Sequence, residues 1–198
     1  MNMMKEIHKN ILALDGRVIY YGKIFNQSSS DDYLTRLTNN IEWKNDEVVI
    51  FGKQYITKRK VAFYGSKILE YKYSNSTKTA LTFTPELLEI KQTVEKLTGA
   101  SFNACLLNMY PTGNEGMGWH SDNESSIVKH SAIASVSFGA ERNFLLKHKV
   151  LPYSSSIVLE HGSLLLMQNE TQQYWLHRLP VSKRIHQPRI NLTFRQMK

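Results

Sequence analysis

The second half of the chain has the pattern of many short β-strands with no helix between them. After Gly99, β-prone runs are separated by turn-prone segments that include 111–118, 139–142 and 169–172. The β-prone runs span residues 102–110, 133–138, 144–146, 156–159, 163–167 and 189–195. Short strands that follow one another without helices are typical of an antiparallel sandwich or barrel. We therefore expect a β-core over residues 100–198.

The first half carries the signals of helices. Thr84 is placed to cap a helix, Pro85 to occupy its first position and Gly99 to end it. The apolar stripe of this helix repeats at spacings of three and four and consists of Leu87, Ile90, Val94 and Leu97. An earlier helix is predicted with Ser30 as its N-cap and acids in its first turn. Its apolar positions are Tyr33, Leu34, Leu37 and Ile41.

The length and the absence of a linker favour one domain, and the predicted helices and strands give it the α+β class, mainly β. A chain of 198 residues can bury roughly 70% of its surface, so it needs no covalent staples. No Gly/Ser-rich or Pro-rich linker divides it. We expect residues 1–99 to form a mixed α/β elaboration that covers the core at 100–198.

The single cysteine and the short apolar runs limit where the chain works. Cys105 has no partner for an internal disulfide, which favours a reducing, intracellular setting and excludes a cysteine-based zinc finger. The apolar runs are far shorter than the ~20 residues that span a bilayer. We expect no membrane association, no signal peptide, and a cytoplasmic location in a prokaryote or a nuclear one in a eukaryote.

The positive charge is concentrated in one window that is also aromatic. The chain has a net charge of +8, and the window 53–78 alone carries seven basic residues against Glu70. The basic residues are Lys53, Lys58, Arg59, Lys60, Lys67, Lys72 and Lys78, and the aromatic ones are Tyr55, Phe63, Tyr64, Tyr71 and Tyr73. Cations that contact phosphates and rings that stack on bases are typical of a nucleic-acid surface. A strand-rich region with solvated lysines is the alternative, and this window alone does not distinguish them.

Two histidines and one aspartate have the spacing of a metal site. His120 and Asp122 are two apart in an extended segment, so their side chains project the same way. His177 lies 57 residues after His120. Two imidazoles and a carboxylate form the facial triad of non-haem iron(II) oxygenases. A polar loop with a surface histidine remains the alternative for His-x-Asp taken alone.

The C-terminal strand alternates strictly. Arg189, Asn191, Thr193 and Arg195 have one parity, and Ile190, Leu192 and Phe194 have the other. If the polar face points inward, two guanidinium groups must meet anions, and a dicarboxylate would satisfy both. An outward face with solvated arginines is not excluded by the periodicity. Asn108 and Tyr110 share a parity just before the metal loop, where they can bind an anion, although Tyr110 can equally be a core aromatic.

These segments resemble the AlkB family. The similar segments in the second half are 106–110, 119–124, 133–140, 161–165, 177–180 and 188–195, and they occur in the family's order. The ending Asn191-Leu192-Thr193-Phe194-Arg195 is very specific. The resemblance continues upstream through 51–53, 59–60 and 64–65, so it covers about three quarters of the chain.

The resemblance implies a double-stranded β-helix (jelly-roll) oxygenase with N-terminal helices and a nucleotide-recognition lid. It would use Fe(II), 2-oxoglutarate and O2 to remove alkyl groups such as those of N1-methyladenine and N3-methylcytosine, releasing formaldehyde and succinate. The residues that match the iron ligands are His120, Asp122 and His177. Those that match the 2-oxoglutarate site are Asn108, Tyr110, Arg189, Asn191, Thr193 and Arg195.

The resemblance also implies contacts with the substrate. The residues that match substrate positions are Phe51, Gly52, Lys53, Tyr64, Gly65, Ser66, Asn123 and Glu124. The tip around Phe51 is similar to a hairpin that enters the base stack of a duplex, and Tyr64 is expected to stack on the damaged base. Glu124 is expected to favour a cationic base, or alternatively to cap backbone amides. Asn123 and Ser66 stand where relatives have acids, which affects the order of preferred lesions.

Alkylated DNA, single-stranded and double-stranded, is the expected partner of a monomeric enzyme. RNA or a methylated protein side chain is an alternative substrate for the same chemistry. A nucleic-acid-binding jelly roll with a vestigial metal site is a third interpretation, which the intact set of ligands and arginines disfavours.

Overall fold

Two antiparallel sheets and two long helices make up the architecture. The computed structural model describes residues 9–50, 53–66, 70–73 and 76–198. The strands are β1 (Arg17–Lys23), β2 (Lys44–Ile50), β3 (Lys53–Gly65), β4 (Glu70–Tyr73), β5 (Ser76–Thr79), β6 (Leu81–Thr82), β7 (Ala104–Tyr110), β8 (Met117–His120), β9 (Ile133–Gly139), β10 (Arg142–His148), β11 (Ser154–Leu159), β12 (Ser163–Gln168), β13 (Trp175–Leu179) and β14 (Arg189–Arg195). The helices are α1 (Gln27–Asn40), α2 (Pro85–Thr98) and the short α3 (Thr171–Tyr174).

The larger sheet joins strands from both halves of the chain. Its order is β1-β12-β9-β14-β7-β3-β2, with β6 beside β3. The smaller sheet has the order β11-β10-β13-β8, and β4 pairs with β5 in a separate hairpin. Neighbours in the two large assemblies are antiparallel except for the β3–β6 pair. This is the predicted jelly-roll arrangement of two facing sheets.

Both faces of the larger sheet are buried. On one face, helices α1 and α2 pack against the sheet. Leu37 of α1 and Leu87 and Ile90 of α2 lie in the same apolar cluster as the strand residues Leu107 and Leu192. On the other face, the smaller sheet contributes side chains to a second apolar cluster. That cluster includes Tyr110, Ile133, Phe144, Leu146, Met167 and Trp175. The space between the two sheets is where the site lies.

Local signals predicted α2 well and α1 less well. Thr84, Pro85 and Gly99 stand at the predicted ends of α2, and Gly99 has the left-handed φ of 71°. Leu97, however, is 47% exposed, so the buried apolar stripe of α2 consists of Leu87, Ile90 and Val94. The prediction of Ser30 as the cap of α1 was wrong.

The N-cap of α1 is Asn26. Its side-chain oxygen accepts a hydrogen bond from the Ser29 backbone N–H at 2.9 Å, so the helix begins four residues earlier than predicted. Ser30 is buried inside the first turns and lies against Gly162, where an added Cβ would come within 2.2 Å of its hydroxyl oxygen. Within the described part of the chain, no helix is long and apolar enough to cross a membrane.

Candidate active site

Three side chains from neighbouring segments converge in the space between the sheets. His120 ends β8 and faces His177 of β13 in the strand register, and Asp122 follows two residues after His120. One ligand atom of each residue lies within 4.8 Å of those of the other two. Two imidazole nitrogens and one carboxylate oxygen at this spacing can hold a single metal ion and leave its other positions open.

The tautomer of His120 suits metal binding. Its Nδ1 lies 2.8 Å from the carbonyl oxygen of Gly118. Because a carbonyl oxygen only accepts, Nδ1 carries the proton and donates it. The lone pair is therefore on Nε2, which lies 3.8 Å from Oδ1 of Asp122 and faces the metal position.

Asp122 is ionised and held in place from two sides. Nη2 of Arg195 donates to its Oδ2 at 2.8 Å, and its backbone N–H donates to Oε1 of Gln172 at 2.9 Å. Burial by itself raises the pKa of Asp122, but Arg195 and the two histidines outweigh burial and lower the pKa to about 2. The carboxylate therefore carries its charge at neutral pH, as a metal ligand must.

His177 is neutral in the same setting. Its ring is stacked on Phe144 with 5.3 Å between the ring centroids. Burial lowers the pKa of His177 to about 4, and the opposing effect of Asp122 is smaller. A neutral imidazole keeps the lone pair that binds a metal, so the charge states of Asp122 and His177 fit an iron(II) ion.

Arg189 is a buried cation without an acid beside it. It is 2% exposed, its Nη2 donates to Oγ of Ser137 at 2.9 Å, and its guanidinium carbon lies 5.5 Å from the Tyr110 ring centroid. Among the described residues no carboxylate pairs with it, and its Nε has no hydrogen-bond partner there. Burial lowers the pKa of Arg189 to about 10, so it stays charged at neutral pH. A buried guanidinium in this state calls for an anion such as a carboxylate.

The polar face of β14 turns inward, toward the cavity. Asn191 donates from Nδ2 to Oγ of Ser135 at 2.8 Å, and Thr193 donates to Oδ1 of Asn191 at 3.2 Å. The cavity encloses about 770 Å³, part of it open to solvent. Of the residues predicted for the metal and 2-oxoglutarate, those that line it are Asn108, Tyr110, His120, Asp122, His177, Arg189, Asn191, Thr193 and Arg195. A dicarboxylate between Arg189 and Arg195, beside the triad, fits this arrangement.

The structure corrects the role predicted for Tyr64. This residue is buried in the apolar cluster under the helices, and its hydroxyl accepts a hydrogen bond from the Glu42 backbone N–H at 3.1 Å. It lies on the opposite face of β3 from the cavity, so it does not meet a base there. Gly65 is buried beside it in β3, whereas Ser66 is exposed and its N–H donates to the Asn103 carbonyl.

Glu124 and Asn123 lie beside a second cavity. That cavity encloses about 1050 Å³ and adjoins the first across Asp122. Neither residue lines the first cavity, and their contacts with a base stay predictions. Phe51 and Gly52 lie outside the described residues, and of Lys53 only the backbone at the start of β3 is described.

Two charged residues of the β2–β3 hairpin line the first cavity, although the sequence does not predict them there. Arg59 was assigned to a phosphate-binding surface, but it is 5% exposed and pairs with the buried Asp46. The pairing of β2 with β3 is irregular between Asn45 and Glu47, so alternation along the sequence does not reveal which way these side chains point. Asp46 had no signal in the sequence.

His161 has a structural role. Its Nδ1 accepts a hydrogen bond from the Gly139 N–H at 2.8 Å, and its Nε2 lies 3.1 Å from Asp31 of α1. It ties a turn of the larger sheet to the helix and does not line the cavity.

The fold and the site together define an oxygenase that depends on iron(II) and 2-oxoglutarate. The family model of the 2OG-Fe(II) oxygenase superfamily matches residues 17–195. The solved structure described as "The structure of OsALKBH1" superposes with a TM-score of 0.63 at 17% identity, covering 93% of this chain and all of that one, which supports the fold.

Sequence identity to three relatives assigns the chain to one family within this superfamily. The chain is 36% identical to mouse and 37% identical to human "DNA oxidative demethylase ALKBH2", with 94% of this chain covered in both cases. The matches cover 82% and 76% of those relatives. The bovine "Alpha-ketoglutarate-dependent dioxygenase alkB homolog 3" is 37% identical over 84% of this chain and 61% of its own length. The chain therefore belongs to the AlkB family of 2OG-Fe(II) oxygenases.

Proposed function

We propose that this protein demethylates alkylated bases in DNA, N1-methyladenine and N3-methylcytosine above all, and releases formaldehyde and succinate. The observation that carries the proposal is that His120, Asp122 and His177 line one cavity together with the buried guanidiniums of Arg189 and Arg195. Iron(II) with 2-oxoglutarate and O2 supplies the oxidation of an unreactive N-methyl group.

The chain's own residues bind and orient the reactants. Arg189 would bind the distal carboxylate of 2-oxoglutarate, and Arg195 the carboxylate beside its keto group, since two fixed guanidiniums set both the position and the direction of a dicarboxylate. Asn191 and Thr193 are held by hydrogen bonds and add further polar groups to the same face of β14. Phe144 and Met167 line the same cavity with apolar groups that exclude water from the reaction.

Exposed cations on β3 support a nucleic-acid substrate. Lys58 and Lys60 are exposed beside the exposed ring of Tyr55. Phosphates attract such cations, and the names of the mouse and human relatives point to DNA. A methylated base inside a duplex must be flipped out to reach the metal, which costs a few kcal/mol and less for a base that cannot pair. Single-stranded and double-stranded DNA are both part of the proposal.

A panel of methylated oligonucleotides tests the substrate. Formaldehyde and succinate are measured with Fe(II), 2-oxoglutarate and each lesion in single-stranded DNA, duplex DNA and matched RNA. Equal amounts of the two products from DNA are the expected result. Turnover mainly of RNA would move the substrate to RNA, and no turnover of any nucleic acid would favour a protein substrate or a binding module.

The proposal includes a monomeric state and an intracellular location, where the proposed DNA substrate is found. Cell fractionation measures the location, and light scattering of the purified protein measures the oligomeric state. Secretion or a stable dimer would contradict this part alone and would leave the chemistry in place.

A further inference from the structure

A buried ion pair lies in the wall of the metal cavity, apart from the metal and 2-oxoglutarate positions. Arg59 of β3 donates to a carboxylate oxygen of Asp46 in β2. The two side chains are 5% and 3% exposed, and both line the cavity that holds the triad. Nη1 of Arg59 also lies 3.2 Å from Sδ of Met117, at the start of the strand that carries His120.

A local irregularity in the hairpin turns this pair inward. The register of β2 and β3 runs from Asn45 opposite Lys60 to Glu47 opposite Ile56, so one residue of β2 faces three of β3. The hydroxyl of Thr57 donates to the Arg59 carbonyl at 3.0 Å inside this bulge. Bulges of this kind re-aim side chains, and this one directs both charges into the cavity instead of toward solvent.

The carboxylates that line the cavity differ in the partners that hold them. Among the described residues that line it, the carboxylates are Asp46 and Asp122. Asp122 is a metal ligand and is paired with Arg195. Arg189 and Arg195 are the partners of a dicarboxylate. Asp46 is therefore the acid that remains for the substrate once the metal and 2-oxoglutarate are bound.

We propose that Asp46 is a specificity-determining residue that selects positively charged bases, and that a cationic base replaces Arg59 as its partner when it enters the cavity. The inference rests on the proposed function and assigns the selectivity to a residue. N1-methyladenine and N3-methylcytosine are cationic, whereas N3-methylthymine is neutral.

The selectivity follows from the cost of a buried charge. A neutral base that displaces Arg59 breaks this buried charge pair and brings no cation in its place, which is unfavourable. A cationic base restores the pair and avoids that cost. The intact pair thus opposes entry of neutral bases more than entry of cationic ones.

The experiment compares one cationic and one neutral lesion in the same single-stranded sequence. kcat/KM for N1-methyladenine and for N3-methylthymine is measured with the wild-type protein, Asp46→Asn and Arg59→Gln. For Asp46→Asn we expect the preference for the cationic lesion to fall about 10-fold or more. For Arg59→Gln we expect the preference for the cationic lesion to be kept or raised, because the Arg59 guanidinium no longer competes with the cationic base for Asp46.

A pair that merely stabilises the hairpin would give the same change in both variants, and that result would overturn the inference. An unchanged preference in Asp46→Asn would overturn it as well. Glu47→Gln is the matched control, since it removes the same charge from the exposed neighbouring position of β2.

The difference in binding affinity between the two lesions is a second readout. It does not depend on turnover, and it is separate from folding defects that lower all activity. The affinity of the metal-free protein for each methylated oligonucleotide is measured by fluorescence anisotropy, with circular dichroism to verify the fold. Asp46→Asn is expected to lose the preference for the cationic lesion in binding too. If the wild-type protein turns over neither lesion, the proposed function is wrong. If the enzyme is active but its preference does not depend on Asp46, only the inference about Asp46 is wrong.

Discussion

Oδ2 of Asp122 lies 2.8 Å from Nη2 of Arg195, which joins the candidate metal site directly to β14, the strand that also carries Arg189. The other carboxylate oxygen, Oδ1, lies 3.8 Å from the Nε2 of His120 and 3.9 Å from that of His177. One oxygen is therefore held by the guanidinium while the other faces the metal position. The orientation of the ligand is set before any metal binds, which reduces the reorganisation that binding requires.

Replacing Asp122 by Asn keeps the shape of the side chain and removes its charge. We expect no detectable formaldehyde release, and a loss of Fe(II) affinity larger than the ~10–100-fold that follows removal of an outer-shell partner. The affinity for methylated DNA is expected to stay near that of the wild-type protein. Metal titration, product analysis and anisotropy measure the three quantities. Ser125→Ala, at an exposed neighbouring position, is the control, and unchanged turnover in Asp122→Asn would remove Asp122 from the ligand set.

Replacing Arg189 by Gln removes the buried cation that lies beside Ser137 and Tyr110. The KM for 2-oxoglutarate is expected to rise about 10–100-fold, because charge-assisted hydrogen bonds contribute roughly 1.5–3 kcal/mol. Arg189→Lys keeps the charge and is expected to lose less. The control uses a 2-oxo acid without the distal carboxylate, whose KM should be the same in the wild-type protein and in Arg189→Gln. A normal KM for 2-oxoglutarate in Arg189→Gln would contradict the assignment.

The metal-free protein is expected to lose stability on mild acidification because of His177. Burial lowers the pKa of His177 from 6.5 to about 4, so between these values the unfolded chain binds more protons than the folded one. The free energy of unfolding therefore falls as the pH drops, by about 2 kcal/mol between pH 7.5 and 5 for this residue.

Urea unfolding at the two pH values measures this effect. His177→Gln should lack that part of the pH dependence, and His186→Gln is the control at an exposed position. An identical pH dependence in wild-type and His177→Gln would show that His177 does not titrate as a buried group.

Phe51→Ala is expected to reduce turnover of duplex DNA more than turnover of single strands. Phe51 follows β2 and precedes β3 in the sequence, and an apolar side chain that enters the base stack would help only where a base must be extracted from it. The measurement is kcat/KM on the same lesion in both forms of DNA. Ile56→Ala is the control, since Ile56 is 70% exposed on the same hairpin. Equal losses on duplex and single strands would exclude the wedge role of Phe51.

The affinity for DNA is expected to fall with salt through Lys58 and Lys60. Each phosphate contact contributes about 0.9 to the slope of log affinity against log salt on duplex DNA, so Lys58→Ala with Lys60→Ala should lower the slope by about 2. Lys183→Ala with Arg184→Ala removes the same charge from another exposed loop and is the comparison. An unchanged slope in the β3 variant would place the phosphate contacts elsewhere. Arg59 is not in this set because it is buried in its pair with Asp46.

Local sequence predicted the elements whose signals are short-range. The cap and stop residues of α2 stand where expected, and the bounds of β14 agree with the alternating run at 189–195. α1 was harder, because Asn26 and Ser30 are both good caps and only the packing of Ser30 on Gly162 decides between them.

By itself, the sequence determined which residues act together: the His-x-Asp pair with a distant histidine, and the parity that groups Arg189 with Arg195. Tertiary structure decided which side of each strand meets the cavity. In this fold both faces of the larger sheet are covered, one by helices and one by the smaller sheet, so alternation separates two groups without saying which is the core. Tyr64 and Arg59 of one strand thus go to opposite sides, the tyrosine under the helices and the arginine to Asp46 beside the metal site.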